Sequence, residues 1–340
     1  MRYGSVCSGI EAATVAWHSL GWEPAFFSEI EKFPREVLTH HYPDVPLHGD
    51  FTTIGENQYG SIDLLVGGTP CQSFSVAGLR KGLDDPRGNL MLTFLAIAKR
   101  FSPRWLVWEN VPGVLSSNGG RDFGSFLGAL GQIGYGFAYR VLDAQYFGVA
   151  QRRRRVFVVG YLGDWRRAAA VLFERESLRG NPPQSREAGE KPAPTVTSGP
   201  PFSRTGNDRV ECDAYIPELA HTLQTTCNDY SRADGFNAIA LAENTIGRQP
   251  MNGGNGDGFT EGGPMYTLNA TGVHGVAQSM AVRRLTPTEC ERLQGFPDGY
   301  TNIKDKCPDG PRYKALGNSM AVPVMKWIGE RIQMVDSITS

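Results

Sequence analysis

The chain has 340 residues, of which 40% are hydrophobic and 20% are charged, and its formal net charge is -1 at pH 7. This composition is that of an ordinary globular protein with a substantial core, and the length predicts a second domain or a large insertion. Because the net charge is near zero, a uniformly basic nucleic-acid-binding protein is excluded, and any such surface must come from local clusters of arginine and lysine.

Cysteine usage and the amino terminus predict the compartment. The six cysteines are scattered, with neither a CxxC pair nor zinc-type spacing to histidine, which predicts a reduced intracellular protein without a metal site. The first residues lack the apolar region of a signal peptide, and no apolar run approaches the length of a membrane span. We therefore expect a cytoplasmic protein that does not bind membranes.

The first elements are those of a nucleotide-cofactor pocket. Tyr3 to Cys7 predicts a short strand, Ser8 to Glu11 a turn, and Ala12 to Leu20 a helix that Gly21 can close. The amino terminus of a helix that follows a tight glycine turn commonly faces a bound nucleotide. The full GxGxxG pattern is absent, so an ordinary turn between strand and helix remains an alternative.

Two acidic residues follow at predicted strand ends. Ala25 to Ser28 predicts a second strand, and Glu29 comes after it, roughly 20 positions beyond the glycine turn, where doubly wound folds hydrogen-bond a ribose diol. Asp50 and Phe51 are predicted to end a third strand. There the carboxylate can accept a hydrogen bond from an adenine amino group, and the ring can stack on the base.

A short apolar run from Ile62 to Val66 predicts a buried strand, and the loop after it reads Gly67-Gly68-Thr69-Pro70-Cys71-Gln72-Ser73-Phe74-Ser75. The paired glycines permit a sharp turn, and Pro70 pushes Thr69 toward an extended conformation. Cys71 could be a small buried hydrophobe. Its glycine, proline and polar neighbours favour instead an exposed loop at the carboxyl end of a strand, where α/β enzymes place their chemistry.

Further candidate site residues are basic and acidic groups that follow the Cys71 loop in the sequence. Arg80 and Lys81 lie in a glycine-rich stretch that either contacts phosphates or is only solvated, and Asn89 to Arg100 predicts a helix. The strand predicted from Trp105 to Trp108 is followed by Glu109. This glutamate is either a salt-bridged surface group or a carboxyl in an apolar pocket, where burial would favour its protonated form.

Later elements complete a mainly parallel sheet. A predicted helix from Phe123 to Ile133 and strands from Tyr139 to Leu142 and from Val156 to Tyr161 continue the alternation of helix and strand. The run from Gln151 to Arg155 is either a solvated edge or a source of site residues, because alternate residues of a strand face opposite sides.

The second half changes in composition. Residues 177–213 are rich in Pro, Gly, Ser and Arg, and residues 247–263 are rich in Gly and Asn, which predicts linkers and loops. Three similar pieces at 193–197, 220–224 and 265–269 predict short strands. Regular structure resumes with a capping box from Thr286 to Glu289, which opens a helix through Leu293. Gly317-Asn318-Ser319 are predicted at a helix start, where they can offer donors to a cofactor, and an amphipathic last helix follows.

The most specific patterns are Pro70-Cys71-Gln72, Glu109-Asn110-Val111, the Gln-x-Arg-x-Arg pattern of 151–155, Leu293-Gln294-Gly295-Phe296-Pro297 and Gly317-Asn318-Ser319. In this order they resemble the motifs of the DNA (cytosine-5)-methyltransferase family. The resemblance runs from Tyr3 to about Arg331, with only the middle portion unmatched. One departure is the first turn, where Cys7 to Ala12 stand in place of the family's Phe-x-Gly-x-Gly-Gly.

The resemblance implies an α/β fold with a Rossmann-like doubly wound mixed sheet, as in class I S-adenosylmethionine-dependent methyltransferases, and a smaller, loop-rich target-recognition domain. It implies a catalytic and cofactor-binding domain of residues 1–175, completed by residues 312–340. Residues 176–311 would then form the target-recognition domain, including the helix from Thr286 to Pro297.

The implied activity is methyl transfer from S-adenosyl-L-methionine to C5 of a cytosine flipped out of a specific duplex DNA sequence, through a covalent bond between Cys71 and C6. Glu109 is implied as the acid that protonates N3, and Arg153 and Arg155 as the residues that orient the ring. The implied cofactor residues are Cys7, Ser8, Gly9, Ile10, Glu29, Ile30, Asp50, Phe51, Pro70, Leu90, Asn318 and Ser319. DNA contacts are implied for Gln72, Ser75, Arg80, Lys81 and Gln151.

The resemblance further implies a monomeric, nucleoid-associated protein of bacterial or phage origin, and it leaves open whether a restriction endonuclease accompanies it. Two rival functions remain. A DNA-binding protein that has lost methyltransferase activity would need a broken site, yet Cys71, Glu109 and Arg155 are all present. An RNA cytosine methyltransferase would suit the neutral charge but not the large variable insert.

Overall fold

The structure is a computed structural model, and it describes residues 1–56, 58–70, 90–173, 239–241, 259–261, 275–278 and 281–338. All of these residues lie in one compact unit, which is formed by Met1–Gly180 and Asn237–Ser340. The carboxyl-terminal segment therefore folds together with the amino-terminal half of the chain.

Seven strands form the central sheet: β1 (Arg2–Val6), β2 (Glu23–Ser28), β3 (Leu47–His48), β4 (Leu64–Gly67), β5 (Trp105–Asn110), β6 (Tyr135–Asp143) and β7 (Arg154–Leu162). Their order is β3-β2-β1-β4-β5-β7-β6. β7 is antiparallel to both of its neighbours, β5 and β6, whereas the other neighbouring pairs are parallel. This is the mixed α/β sheet that the sequence predicts.

The helices of the described residues are α1 (Ala12–Trp17), α2 (Lys32–His41), α3 (Leu90–Phe101), α4 (Arg121–Gln132), α5 (Trp165–Leu172), α6 (Pro287–Gln294), α7 (Asp309–Asn318) and α8 (Val322–Ser337). They cover both faces of the sheet. Leu64 and Val66 of β4 lie in an apolar cluster with residues of α1, α5 and α8, whereas Leu65 lies in a second cluster with α3 and α4. The doubly wound arrangement is therefore confirmed. Within the described ranges, no helix is long and apolar enough to cross a membrane.

Most predicted elements are present with shifted ends. The first helix ends at Trp17 and continues as a 3-10 turn from His18 to Leu20, and Gly21 closes it with φ +68° as predicted. The sequence analysis does not predict α2, α5 or α7. Helix α2 has few apolar residues to mark it, since only Val37 and Leu38 are buried among its ten residues.

A second, antiparallel sheet is formed by β8 (Ile239–Leu241), β9 (Phe259–Glu261), β10 (Gly275–Gln278) and β11 (Ala281–Arg284). The strand order is β11-β10-β8-β9. Each strand has three or four residues. The three similar pieces at 193–197, 220–224 and 265–269 lie outside the described residues. The extent of a target-recognition domain stays a prediction.

The helix predicted from the capping box is present as α6. Thr286 N donates to Glu289 Oε2 at 2.7 Å, and Glu289 N donates to Thr286 Oγ1 at 3.3 Å. Cys290 of this helix and Phe296 beyond it are buried in the same apolar cluster as α1 and α8. The sequence analysis assigns α6 to the target-recognition domain, whereas this packing associates α6 with the core of the central sheet.

The segment Gly317-Asn318-Ser319 differs from its prediction. Gly317 and Asn318 form the last turn of α7, and Ser319 is the residue that ends it, so the segment does not start a helix. The next helix, α8, begins at Val322 with Pro323 in its first turn. Proline is favoured there because the first amides of a helix have no partner within it. The prediction of a helix start is therefore wrong by about one turn.

Candidate active site

A cleft of about 1060 Å³ opens where the parallel strands end, which is the edge at which open α/β sheets bind ligands. Its walls come from the ends of β2 and β5 and the residues after β1, β3 and β4, from the start of α2, from Arg153 and Arg155, and from residues within 304–318. A smaller cavity of about 40 Å³ shares Cys7, Gly68, Glu109 and Asn318 with the cleft. The volume of the cleft is enough for a nucleotide-sized ligand.

Eleven of the twelve residues predicted to bind the cofactor line the cleft or the cavity; these are Cys7, Ser8, Gly9, Glu29, Ile30, Asp50, Phe51, Pro70, Leu90, Asn318 and Ser319. The exception is Ile10. Its side chain is wholly buried in the core, and its carbonyl oxygen accepts a hydrogen bond from the Tyr300 hydroxyl at 2.9 Å. The Ile10 side chain therefore does not line the cleft.

The Glu29 carboxylate joins the first turn to the end of β2. Gly9 N donates to its Oε2 at 2.8 Å, and the backbone amides of Ile30 and Glu31 both donate to its Oε1 at 2.8 Å. Three backbone donors thus hold the carboxylate at the cleft. Since each carboxylate oxygen has two lone pairs, Glu29 can still accept a hydrogen bond from a ligand.

The first turn accommodates its departure from the family pattern. Glu11 stands where the family has glycine, and it adopts the left-handed conformation, with φ +63°, that glycine takes easily. Its Oε2 caps α1 by accepting from Thr14 N at 3.2 Å and from Thr14 Oγ1 at 2.6 Å, and Ser5 donates to its Oε1. These hydrogen bonds offset the strain of a left-handed non-glycine residue, which is about 1–2 kcal/mol.

The Cys7 thiol lines the cleft but is not a nucleophile. Burial raises its pKa to about 12, and the negative charges of Glu29 and Asp50 add to the effect. A thiol with this pKa is protonated at neutral pH, whereas the thiolate is the reactive form of cysteine. Cys7 can therefore contribute only packing and shape to this site.

Close contacts explain the pair of glycines at the end of β4. A Cβ on Gly67 would lie 2.7 Å from Val6 Cγ2, and a Cβ on Gly68 would lie 3.0 Å from Glu109 Oε2. The chain thus passes directly beside the Glu109 carboxyl before Pro70 reaches the cleft. Five predicted site residues lie outside the described residues, namely Cys71, Gln72, Ser75, Arg80 and Lys81.

Glu109 forms a buried ion pair with Arg155. The residue is 9% exposed, and the Nε atom of Arg155 lies 3.0 Å from its Oε1. Burial raises the pKa of Glu109, and this effect exceeds the lowering by the positive charges of Arg155 and Arg153. The sequence leaves open a paired surface group or a carboxyl in an apolar pocket. The structure combines the two, since Glu109 is paired but lies buried at the cleft.

Arg153 ties two segments of the chain together. Its Nη2 donates to the carbonyl oxygens of Gly317 at 3.1 Å and Ser319 at 2.7 Å, and its backbone amide donates to Asp143 Oδ1 at 2.8 Å. Burial, with the nearby charge of Arg155 adding to it, lowers the pKa of Arg153 to about 9. Arg153 thus fixes the segment after α7, and Arg155 is the arginine paired with Glu109.

The run from Gln151 to Arg155 alternates as the sequence predicts. Gln151 and Arg153 are buried, Arg152 and Arg154 are exposed, and Arg155 is half-buried. Neither amide atom of Gln151 has a hydrogen-bond partner in the part of the chain that the structure describes. Because its side chain is wholly buried, Gln151 does not present a surface to DNA in this conformation.

Two ion pairs at the cleft are not predicted from the sequence. Lys304 Nζ lies 2.6 Å from Glu36 Oε2, and Lys314 Nζ lies 3.0 Å from Glu31 Oε2. The partners are 268 and 283 residues apart in the chain, so no local pattern could have indicated them. They join α2 and the residue that precedes it to the carboxyl-terminal wall of the cleft.

Comparisons with known proteins show which families the chain resembles. A family model described as C-5 cytosine-specific DNA methylase matches residues 1–334. The chain is 34% identical to a protein of Escherichia phage P1 named DNA N-6-adenine-methyltransferase, over 97% of this chain and 61% of that protein. It is 31% identical to Type II methyltransferase M.SsoII of Shigella sonnei, over 90% of this chain and 73% of that protein. The chain thus spans less than two thirds of the phage P1 protein.

Solved structures share the fold. The crystal structure of S. pombe Dnmt2 methyltransferase aligns with a TM-score of 0.63, at 16% identity and over 100% of both chains. A Spodoptera frugiperda DNMT2 mutant aligns with a TM-score of 0.59, at 16% identity, over 98% of this chain and 99% of that chain. At this level of identity the likeness concerns the fold alone.

Proposed function

Because the chain belongs to the C-5 cytosine-specific DNA methylase family, we propose that it transfers a methyl group from S-adenosyl-L-methionine to C5 of a cytosine flipped out of a specific sequence in duplex DNA. The observation that carries this proposal is a single cleft lined by two kinds of group. Glu29, Asp50 and Phe51 suit a nucleoside, and the buried pair of Glu109 and Arg155 suits a pyrimidine ring that must be protonated.

The residues of the cleft fit an adenosyl cofactor. Glu29 can accept from ribose hydroxyls, and Asp50 is exposed and offers a carboxylate to a ring amino group. Ile30 is 71% exposed although it is large and apolar, and a base lying over it would explain that exposure. Ser8, Asn318 and Ser319 surround the adjoining cavity, which suits the polar end of the cofactor.

Cytosine C5 is a weak nucleophile, so the proposed reaction starts with addition of a thiolate to C6. We assign this role to Cys71, which follows Pro70 at the cleft. As the carbon-sulfur bond forms, the electron pair of the C5–C6 double bond moves into the ring, and a proton from Glu109 at N3 neutralises the charge. S-adenosyl-L-methionine, when bound, supplies the methyl group that C5 receives. Loss of the C5 proton, release of Cys71 as the thiolate and return of the N3 proton to the Glu109 carboxylate leave 5-methylcytosine.

Arg155 supports the role of Glu109. Its Nε contacts one carboxyl oxygen, and its Nη1 donates to the Arg154 carbonyl at 2.8 Å, so the guanidinium is fixed from both sides. The second carboxyl oxygen of Glu109 lies beside Gly68, which has no side chain of its own. We therefore propose that this second oxygen carries the proton given to the cytosine.

The decisive experiment is product analysis. Purified protein is incubated with methyl-labelled S-adenosyl-L-methionine and either duplex DNA or RNA, and the nucleosides are separated after digestion. We expect labelled 5-methylcytosine from duplex DNA only. Labelled N6-methyladenine, the product named for the phage P1 relative, would overturn the assignment to cytosine. Labelled RNA would indicate an RNA cytosine methyltransferase. DNA binding without methyl transfer would indicate a DNA-binding protein that has lost methyltransferase activity.

The DNA sequence in which cytosine is modified can be identified in cells. Bisulfite sequencing of DNA from cells that express the protein is expected to show protected cytosines within one short sequence. If such a sequence appears, cleavage assays on the unmodified site would test for an accompanying restriction endonuclease.

Replacing Arg155 with methionine is expected to shift the pH dependence of the reaction. Arg155 lowers the pKa of Glu109, so its removal raises that pKa further. An acid must be protonated to act, and the alkaline limb of the kcat profile should therefore move to higher pH while kcat itself decreases. The measurement is single-turnover methyl transfer between pH 5 and 9.

Arg140→Met is the matched control, because Arg140 is also a half-buried arginine and it donates to the Leu172 carbonyl at 2.9 Å without lining the cleft. Its pH profile should match that of the wild type. An alkaline limb that stays in place in Arg155→Met would argue against Glu109 as the proton donor.

Arg152 and Arg154 are expected to contact DNA phosphates. Both are exposed, and β7 begins at the same edge as the cleft, since Val156 pairs with Asn110 at the end of β5. Each phosphate contact contributes about -0.9 to the slope of log K against log salt. The double change of both residues to glutamine should therefore make the slope for duplex DNA shallower by about 1.8.

The control changes Arg104 and Arg166 to glutamine. These exposed arginines precede β5 and follow β7, at the opposite edge of the sheet. Their removal should leave the salt slope unchanged. Equal slopes for both double variants would contradict a phosphate-binding role for Arg152 and Arg154.

A further inference from the structure

Thr69 is held by two residues of β5. The Nε1 atom of Trp108 donates to Thr69 Oγ1 at 3.0 Å, and Asn110 Nδ2 donates to the Thr69 carbonyl at 2.9 Å. The orientation of the Asn110 amide is itself fixed, because its Oδ1 accepts from Val111 N at 2.8 Å. Thr69, Trp108 and Asn110 are all buried, so both hydrogen bonds form away from solvent.

The Trp108 indole is a stiff anchor. Its ring packs against Phe126, with centroids 4.3 Å apart, and against Phe123, with centroids 6.3 Å apart. The side chain is 0% exposed and belongs to the apolar cluster between the sheet and helices α3 and α4. Close-packed interiors leave little room for such a ring to move, so the indole N–H cannot follow a displaced Thr69.

Three consecutive residues of β5, Trp108 to Asn110, therefore have two structural roles. Alternate residues of a strand point to opposite faces, so Trp108 and Asn110 share one face and Glu109 points to the other. Trp108 and Asn110 hold Thr69, while Glu109 reaches the cleft beside Gly68. One strand segment thus fixes both the Glu109 carboxyl group and Thr69, which stands two positions before Cys71 in the sequence.

We propose that Thr69 is a positioning residue whose hydroxyl, held by Trp108, sets the place from which Cys71 reaches the cytosine. This inference rests on the proposed function. Only Pro70 separates Thr69 from Cys71, and proline has a fixed φ, so few free rotations lie between the anchor and the sulfur. Without the hydroxyl, Thr69 would retain, of its two hydrogen bonds to β5, the one from Asn110 to its carbonyl, about which the backbone could pivot.

The test compares Thr69→Val, Thr69→Ser and Trp108→Phe. Valine keeps the shape of threonine without the hydroxyl, serine keeps the hydroxyl, and phenylalanine keeps an aromatic ring without the N–H. The readout is the single-turnover rate of the denaturation-resistant adduct with duplex DNA that carries 5-fluorocytosine, in the presence of cofactor. DNA affinity, cofactor affinity and urea unfolding are measured beside it.

We expect Thr69→Val and Trp108→Phe each to slow adduct formation about 10- to 100-fold, because small misplacements of reacting atoms have effects of this size. The affinities for DNA and cofactor should stay within about twofold, so the loss lies in kcat rather than KM. Thr69→Ser should restore most of the rate. The double variant that combines Thr69→Val with Trp108→Phe should be no slower than either of these single variants, since both changes remove the same hydrogen bond.

Tyr135→Phe controls for stability alone. It removes a buried hydrogen bond, from the Tyr135 hydroxyl to the Pro103 carbonyl at 2.7 Å, and neither residue lines the cleft. If Tyr135→Phe slows the adduct as much as Thr69→Val, or if the effects of Thr69→Val and Trp108→Phe multiply, the inference is overturned while the proposed function stands. If the wild type forms no adduct, both are overturned.

Discussion

Replacement of Glu109 with glutamine is expected to lower kcat about 10²- to 10⁴-fold, the usual range for the loss of general acid catalysis. Glutamine has nearly the same shape and can still contact Arg155 through its amide oxygen, but it cannot release a proton. Glu109 is suited to hold one because burial raises its pKa and outweighs the two neighbouring arginines. Single-turnover methyl transfer at saturating DNA and cofactor measures the effect.

Glu31→Gln is the matched control for this prediction. Glu31 also lines the cleft and pairs with a cation, since Lys314 Nζ lies 3.0 Å from its Oε2, but it is about half exposed. This variant should retain nearly all activity. A loss of less than about tenfold in Glu109→Gln would argue that another group protonates the ring.

The Glu109→Gln variant is also expected to change how the free energy of unfolding depends on pH. The ordinary pKa of glutamate is about 4.3, and the folded state raises that of Glu109. As the pH rises above the ordinary value, the folded protein binds more protons than the unfolded chain, and its free energy of unfolding decreases. Glutamine does not titrate, so Glu109→Gln should not show this decrease. The difference in free energy of unfolding between the variant and the wild type should therefore grow in favour of the variant as the pH rises above the ordinary pKa of glutamate.

Replacement of Cys71 with serine is expected to reduce methyl transfer by on the order of 10³-fold or more, because a hydroxyl is a far weaker nucleophile than a thiolate. The change removes no charge from a DNA contact and leaves the Thr69 anchor intact, so affinity for duplex DNA should be preserved. Filter binding and methyl transfer with labelled cofactor measure the two properties on the same preparation.

Cys307→Ser controls for the loss of a sulfur atom. Cys307 is half-buried, and its thiol lies 3.5 Å from the Thr301 carbonyl, outside the cleft lining. This variant should methylate DNA at the wild-type rate. Methylation by Cys71→Ser at a normal rate, or inactivation of both variants alike, would refute the assignment of the nucleophile.

Local patterns in the sequence predict the parts of the site that depend on short-range geometry. The glycine turn, the strand before Glu29 and the distance between them indicate a nucleoside site, and these residues do line the cleft. The capping box at Thr286 predicts a helix start correctly, because both of its hydrogen bonds join residues three positions apart.

Hydrogen-bond partners that are distant in the sequence cannot be predicted from local patterns. Arg153 lines the cleft with Arg155, and its side chain also donates to carbonyl oxygens more than 160 residues away, which no local pattern indicates. Gln151 shares their motif but is wholly buried. Thr69 reads as an ordinary loop residue, since its partner Trp108 is 39 positions distant and is identified only by the fold.

The first and last helices of the described chain depend on each other. The Trp17 indole of α1 donates to the Met325 carbonyl of α8 at 2.7 Å, across 308 positions of sequence. A chain still emerging from the ribosome has synthesised the first turn of the cleft long before the helix that contacts α1. Incomplete translation products should therefore lack the hydrogen bond that α1 donates to α8 until synthesis has passed α8.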